Sequence, residues 1–502
     1  MTTRPGGARR RAKATVVLVA MSLIGSACGS RLGGGAMALA EGAGHNGSAS
    51  GASASVSGNS TGSSSTADTA VNSTAGSAGA GGSGASSTAG PSTAANAAAG
   101  STGATSAGAN NSTSCTSADN GGATDTGVTA NQILIGNITS ITGVAPGLTQ
   151  SAQQATEAFA QYVNSQGGIC GRLLKVQAFD DGNTSSGNYS DAAQACSSDF
   201  AMVGNASGFD DGGASAVSSC GIPDVAAEVS THAAGNVADI YGASPGNAHY
   251  WSTGPAVWLK KTDPTAVTHA AMIYLNVPAT QEQAQAEMST YTSVGFNYIY
   301  SAAVSPTEPN YAPYVQNMES KGVQYVTEYS DDNSAARLAQ AMQQASFAPQ
   351  VVDWFSEMYS PAFLQEAQGT ANGNLVLMAT APYEEAASNP GMALFLSWMN
   401  RVAPGFTHDI FAEFAWSAGM YFLQAAKVVG AHLTRAALLA QLAQIHQLPA
   451  NDTVQYAEDF GRHIPSNCFA YFKINGSGNG YSRVYPAGPN SLDCTSGTVA
   501  HY

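Results

Sequence analysis

The stretch "GGICGRLLKVQAFDDGN", Gly167 to Asn183, joins two different periodicities. Before it, "SAQQATEAFAQYVNSQ" places Ala152, Ala155, Phe159 and Val163 on one face of a 3.6-residue repeat, which predicts a helix. After it, "LLKVQAFDD" reads as a strand. Gly167 and Gly168 end the helix, because the residue past a helix C-terminus adopts positive φ, and Gly171 lets the chain turn into the sheet. A further strand, "QILIGNITSITG", precedes the helix and ends in a loop of Ser, Thr and Gly. Strand, helix, strand with a short glycine turn is the unit of an α/β layer.

The unit repeats. "YSDAAQACSSDF", "FAMVGNAS", "ASAVSSCG" and "IPDVAAEVS" continue it to about Tyr250. A second series runs through "AAMIYL", "QAEMSTYTSVG", "YIYSAAVS", "YVQNMESKG", "VQYVTEYS", "AARLAQAMQQA" and "VVDWFSE". "NLVLMATAP" then leads into the helices "GMALFLSWMNRV", "IFAEFAWSAGMYFLQAAKVVG" and "LTRAALLAQLAQI", before a late strand pair in "CFAYFKINGSGNGYSRVYP". Periodic apolar sequence thus extends from Val128 to Pro486, about 360 residues, more than one core usually covers. The expectation is an α/β protein of two lobes joined by a hinge, each a parallel sheet with helices on both faces. Residues 127–250 plus 380–435 would form the first lobe and 251–379 plus 436–495 the second. Ligands of such sheets bind beyond the carboxyl ends of the strands.

The N-terminus speaks to location. Arg4, Arg9, Arg10, Arg11 and Lys13 precede an apolar run, Ala14 to Ile24, that is too short to span a bilayer, the layout of an export signal over residues 1–27. Cys28 follows "GSA" and resembles a bacterial lipobox cysteine, although Gly25 stands where Leu is usual. Lipidation of Cys28 would leave six cysteines, Cys115, Cys170, Cys196, Cys220, Cys468 and Cys494. An even set in an exported chain implies disulfides, with 15 connectivities open. Residues 28–126 are almost entirely Ser, Thr, Ala, Gly and Asn without an aromatic residue, a composition too polar to offset its ordering entropy. As a coil of about 98 residues this tether would span roughly 55 Å. Loss of the signal leaves 13 Lys plus Arg against 33 Asp plus Glu, a surface unsuited to nucleic acid.

Three motifs in order, "SITG", "GGICGR" and "AFDDGN", followed by "AMVGNASG" and "CGIPDVAAEVST", resemble the type I periplasmic binding proteins. The likeness is to the branched-chain amino acid-binding (Leu/Ile/Val-binding) group, the substrate-binding lipoproteins of ABC transporters, and it covers Val128 to Pro486. That resemblance implies a ligand receptor outside the membrane, held by its lipid anchor and serving an ABC permease. It also implies a Cys196–Cys220 bridge; Cys468–Cys494 is then the local pair at the C-terminus, and Cys115–Cys170 remains to pin the tether to the first lobe.

Catalytic signatures are missing. "GNASG" displaces its serine, Ser207, by one position from a nucleophile elbow, and there is no H-E-x-x-H, Walker A or dinucleotide fingerprint. Asp180, Asp181 and Asn183 begin like a calcium loop whose later ligands do not follow, and His232 reads as a solvated loop histidine. No enzyme activity, cofactor or metal is expected. Binding candidates are the strand-end hydroxyls and amides Ser140, Thr142, Asn205, Ser207, Ser230 and Thr231, which could hold a carboxylate or simply cap the next helices. By the resemblance, the loops of Ser207 and of Ser230 and Thr231 grip an amino acid carboxylate. Tyr274, Tyr329, Trp354, Glu357 and Tyr359 lie near strand ends of the second lobe, and Glu357 is near the family's acceptor for the ammonium group.

Two departures bear on the ligand. The chain reads "NVPATQEQ" where the family usually has a Tyr-Gly pair, and Glu228 occupies a loop where small neutral residues are common. An inward Glu228 would disfavour a carboxylate. The expected function is capture of a small polar ligand, an amino acid or related compound, for an ABC importer. The alternative is an extracellular sensor or scaffold of the same fold, which the long tether would suit.

Overall fold

The computed structural model describes residues 115–244, 248–448 and 459–502; the export signal, Cys28 and the tether to residue 114 lie outside them. The first sheet contains β1 (Gln132–Thr139), β2 (Leu173–Asp180), β3 (Ala201–Val203), β4 (Asp224–Ala226) and β5 (Ile240–Gly242). Their order is β2-β1-β3-β4-β5 and every pairing is parallel. Alternation in β1 sends Ile133 and Ile135 to a core shared with Phe159, and Ile138 to a core on the opposite face with Phe179, Met202 and Val217. Helices therefore cover both faces.

A short strand β6 (Tyr250–Ser252) follows, and then the second sheet: β7 (Ala270–Leu275), β8 (Tyr298–Val304), β9 (Tyr325–Tyr329), β10 (Val351–Trp354), β11 (Leu375–Met378), β12 (Ala470–Ile474) and β13 (Tyr481–Tyr485). The order is β13-β12-β11-β10-β9-β7-β8. This sheet is mixed, whereas the sequence reading expects a parallel one. β12 runs antiparallel to β11, and β13 antiparallel to β12. The cause is local: β12 and β13 form a hairpin closed by the Asn475 N–H to the Gly480 carbonyl at 2.9 Å, so one of them must oppose its neighbour. The C-terminal β14 (Val499–His501) pairs antiparallel with β6.

The helix Gln150–Ser165 buries Ala152, Ala155, Phe159 and Val163, the face its periodicity marks. Its exit turn runs through the left-handed region that glycine adopts freely, with φ of 91° at Gly167, 75° at Gly168 and 75° at Gly171. Against it packs the helix Ile410–Val429, which is apolar nearly all round and buries most of its length. Close approach depends on Gly419, where an added Cβ would lie 2.5 Å from the Phe159 ring. Gly419→Ala is therefore expected to cost about 1–3 kcal/mol of stability through overpacking, read from the urea midpoint. A midpoint unchanged from the parent would show that the two helices can separate without cost.

The helix Arg435–Leu442 follows on the first sheet's side. Arg435 donates to the backbone carbonyls of Cys196 (2.9 Å), Asp199 and Phe200. Three disulfides join Cys115 to Cys170, Cys196 to Cys220 and Cys468 to Cys494. Among the described residues no helix is long and apolar enough to cross a membrane.

Candidate functional site

The carboxyl ends of β3 and β4 face those of β7, β9 and β10 across a cleft of about 670 Å³, counting the solvent at its open mouth. Ser207, Glu228 and Ser230 enter it from the first lobe; Val277, Gln283, Asp331 and Glu357 enter from the second. Apolar walls come from Leu148, Phe209, Leu275 and Phe411. A smaller space of about 390 Å³ adjoins it, lined by Trp251, Phe355 and Phe414. Glu228, Ser230, Gln283 and Glu357 border both spaces and form the waist between them.

The helix Pro278–Val294 closes one side of the cleft. Its Ala279 N–H donates to the Gly208 carbonyl at 3.3 Å, and Gln283 Nε2 donates to Glu228 Oε1 at 2.7 Å. Glu282 pairs with His232 Nδ1 at 2.6 Å. On this side of the cleft the two lobes thus touch through one helix and two first-lobe loops. His232, expected as a solvated loop residue, is instead one half of this interlobe pair.

The hydroxyl-bearing loops are bonded inward. Ser140 Oγ donates to Asp181 Oδ1 at 2.8 Å, and Ser207 Oγ donates to the other oxygen of the same carboxylate. Ser230 donates its backbone N–H to Asp210 Oδ2 at 2.7 Å and its hydroxyl to Glu228 Oε1 at 2.6 Å. Thr231 is fully buried, and its Oγ1 accepts from the Ala234 N–H as the cap of the helix His232–Gly235. Asn205 Oδ1 accepts from the Ile138 N–H at 2.7 Å, and its amide donates to Asp224. These bonds order the strand ends before any solute arrives.

Burial pushes Glu228 up, and its bonds from Ser230 and Gln283 pull it back in part. Glu357 goes well above the usual carboxylate range, chiefly through burial and then through the neighbouring Glu228. Glu357 Oε2 is buried and has no partner. Asp210, behind Ser230, is raised to about 7 by burial, against the bonds from Thr231 and Ser230.

Of the nine residues expected at the site, Ser207, Ser230 and Glu357 line the cleft. Ser140 lies beneath it on Asp181, while Thr142 is exposed, with its N–H on Asp180. Asn205 lines a separate space behind β3 and β4. Thr231 and Tyr329 are buried, the latter donating to Glu287 Oε2 at 2.9 Å, and Tyr274 is half-buried on β7. Trp354 is fully buried in the core, and Tyr359 donates to Glu384.

Sequence reasoning did not single out Gln283, Glu282 or Trp251. It starts the helix at Gln285 and leaves "NVPATQEQ" as an irregular departure. In the structure that stretch is the first turns of the helix, with Pro278 at its start. Proline at a first helical position was the available signal.

A family model described as Periplasmic binding protein matches residues 132–479. No curated protein matches. Solved structures with the same fold include a fatty acid ABC transporter substrate-binding protein from Thermomonospora curvata, 17% identical, covering 72% of this chain and 93% of its own, TM-score 0.60. The branched-chain amino acid substrate-binding protein LivJ from Streptococcus pneumoniae, in complex with isoleucine, is 14% identical and covers 71% of this chain and 100% of its own, TM-score 0.59. An R. palustris solute-binding protein in complex with benzoate is 12% identical and covers 74% and 98%, TM-score 0.60. The match over most of the folded region, with two facing α/β lobes and a cleft at their strand ends, shows that the chain belongs to the type I periplasmic binding protein family.

Proposed function

We propose that the protein is an extracytoplasmic solute receptor, anchored by lipid at Cys28, that captures a small polar ligand between its lobes for an ABC permease. The observation that carries this reading is the cleft of about 670 Å³, walled by strand-end loops of both sheets and bridged by the helix Pro278–Val294. Such a space holds a molecule of amino acid to small aromatic size. Isoleucine and benzoate, named for two structural relatives, fall in that range. Ligand contact belongs to Ser207, Ser230 and Glu357, with the other strand-end residues holding the loops.

The lobes follow the expected bounds, 127–250 plus 380–435 for the first and 251–379 plus 436–495 for the second, with one shift: the helix Arg435–Leu442 travels whole with the first, because Arg435 is bonded to its carbonyls. Closure of the lobes would make the surface a permease reads. A sensor that regulates a partner without transport is the second reading, favoured by the long polar tether between Cys28 and the fold.

A thermal-shift screen of the full chain against amino acids, amines, organic acids, sugars and short peptides tests capture. A ligand at 100 times its dissociation constant is expected to add about 2.7 kcal/mol of stability. A screen in which no solute moves the midpoint would sink the receptor reading.

A further inference from the structure

The polarity of the cleft is inverted from what a carboxylate needs. All five hydroxyl side chains lining the larger space give their single proton to a protein acceptor. Thr149 donates to the Ala206 carbonyl (2.9 Å), Thr280 to the Leu275 carbonyl (2.7 Å) and Ser230 to Glu228 (2.6 Å). Ser207 donates to Asp181 and Ser330 to Glu328. The Ser230 N–H, which could also meet an anion, is held by Asp210. No Lys, Arg or His lines either space among the described residues. Three carboxyl groups face inward, Glu228, Asp331 and Glu357, the last with a buried oxygen that nothing satisfies; the amide of Gln283 is bonded to Glu228 and that of Asn183 to the Thr142 carbonyl. A hydroxyl already bonded to a carboxylate presents only its lone pairs. An anionic ligand would lie against those lone pairs, with no fixed cation and only the proton of a neutral glutamate to meet it.

We propose that the occupant is an organic amine on an apolar body that lacks a carboxylate, its ammonium seated between Glu228 and Glu357 at the waist of the cleft. This rests on the receptor reading above. The ammonium would supply the donor that Glu357 Oε2 lacks, as a charge-assisted hydrogen bond. Its apolar part would lie against Phe209, Leu275 and Phe411 on one side or Trp251 and Phe355 on the other.

The pair also sets a pH dependence. The groups facing Glu357 are Glu228 from the first lobe and Glu328 and Asp332 from the second; those facing Glu228 are Asp210, Ser230 and Gln283. None is cationic, so the empty cleft retains protons that an ammonium displaces. Amine affinity therefore rises with pH, by up to about tenfold per unit for one proton released.

The test is calorimetry and thermal shift on the full chain with matched pairs: phenethylamine against 3-phenylpropionate, and hexylamine against hexanoate. Both amines are expected to bind and the acids not to, with amine affinity rising from pH 5.5 to 7.5. Glu357→Gln is expected to weaken the amines by about 10- to 100-fold, the range of a charge-assisted hydrogen bond. Its own melting should be nearly unchanged, because the amide matches in size and charge the protonated carboxyl that the empty cleft holds; Glu228→Gln is the second variant should the first fail to fold. An acid that binds as well as its amine partner, or amine affinity that falls with pH, overturns the inference and leaves solute capture standing. Silence from both amines also overturns it, and silence across the broader screen removes the receptor reading as well.

Discussion

Acidifying the protein from pH 8 to pH 5 is expected to raise its thermal midpoint by about 4 °C, the reverse of ordinary acid unfolding. The cause lies under the second sheet. Glu287 is 2% exposed and accepts hydrogen bonds from the Tyr298 and Tyr329 hydroxyls, both at 2.9 Å. Asp353 is 4% exposed and accepts from Tyr325 and Tyr471, also at 2.9 Å. Among the described residues no cation pairs with either carboxyl. Burial, with Asp353 nearby, pushes Glu287 from 4.5 up to about 8. Burial pushes Asp353 from 3.8 up to about 7, against the bonds from its two tyrosines.

Both folded values lie above the unfolded ones, so the folded state holds more protons between about pH 4 and 8. Their stabilisation is complete below the unfolded values and is lost as the pH climbs through the folded ones. Each tenfold offset is worth about 1.4 kcal/mol. Between pH 8 and pH 5 the two groups span about 4.5 such steps, and after a twofold discount for water entry and relaxation the pair contributes on the order of 3 kcal/mol. At about 2.1 cal/mol/K per residue over a folded unit of this size, that is about 4 °C. Glu328, raised to about 8, and Asp224 and Asp332, raised to about 7, act in the same direction. Scanning calorimetry at several pH values checks this, with Asp353→Asn expected to flatten the slope. A midpoint that is level or falls between pH 8 and 5 would show that these acids ionise freely in the fold.

The sequence carries the layers well because period and punctuation agree there. The face of the helix Gln150–Ser165, the glycines after it and the strand β2 follow from residues a few positions apart. The site is less legible, since its chemistry depends on who bonds to whom across long separations. Ser207 and Ser230 read as free hydroxyls for a carboxylate, yet Asp181 and Glu228 take their protons. Nothing local to "GNASG" announces that Asp181, twenty-six residues earlier, will sit under it. Glu228 was visible as an oddity in its loop, and only the fold turns it inward beside Glu357. The antiparallel edge of the second sheet escaped for a similar reason: a hairpin is legible in "FKINGSGNGYSRV", but not which strand it will dock against.

Arg172→Met is expected to cost about 3–5 kcal/mol, and the reason begins in the same turn that decides the fold. Arg172 is fully buried, with no carboxylate beside it. Its Nε donates to the Thr129 carbonyl at 2.9 Å, and its Nη2 reaches the carbonyls of Asn120, Gly122 (2.9 Å) and Ala431 (3.3 Å). Asn120 bonds back to the Ala130 carbonyl at 2.7 Å and to the Cys170 carbonyl at 3.2 Å. One guanidinium therefore gathers three segments: the chain entering the fold, the turn before β2 and the residues after the helix Ile410–Val429. Methionine fills similar volume but leaves the buried Asn120 carbonyl without its donor, at about 1–3 kcal/mol, and unties the half-buried carbonyls of Gly122 and Ala431 and that of Thr129. Arg172→Lys keeps the charge and loses the planar fork, so it should fall between parent and Met. Urea midpoints give the ranking. Because the Cys115–Cys170 bond still holds the entering segment, the Met variant should also be cut earlier by protease between residues 116 and 127 than the parent. A Met variant within about 1 kcal/mol of the parent, uncut in that segment, would mean that the disulfide alone fastens the tether to the first lobe and that the arginine is incidental.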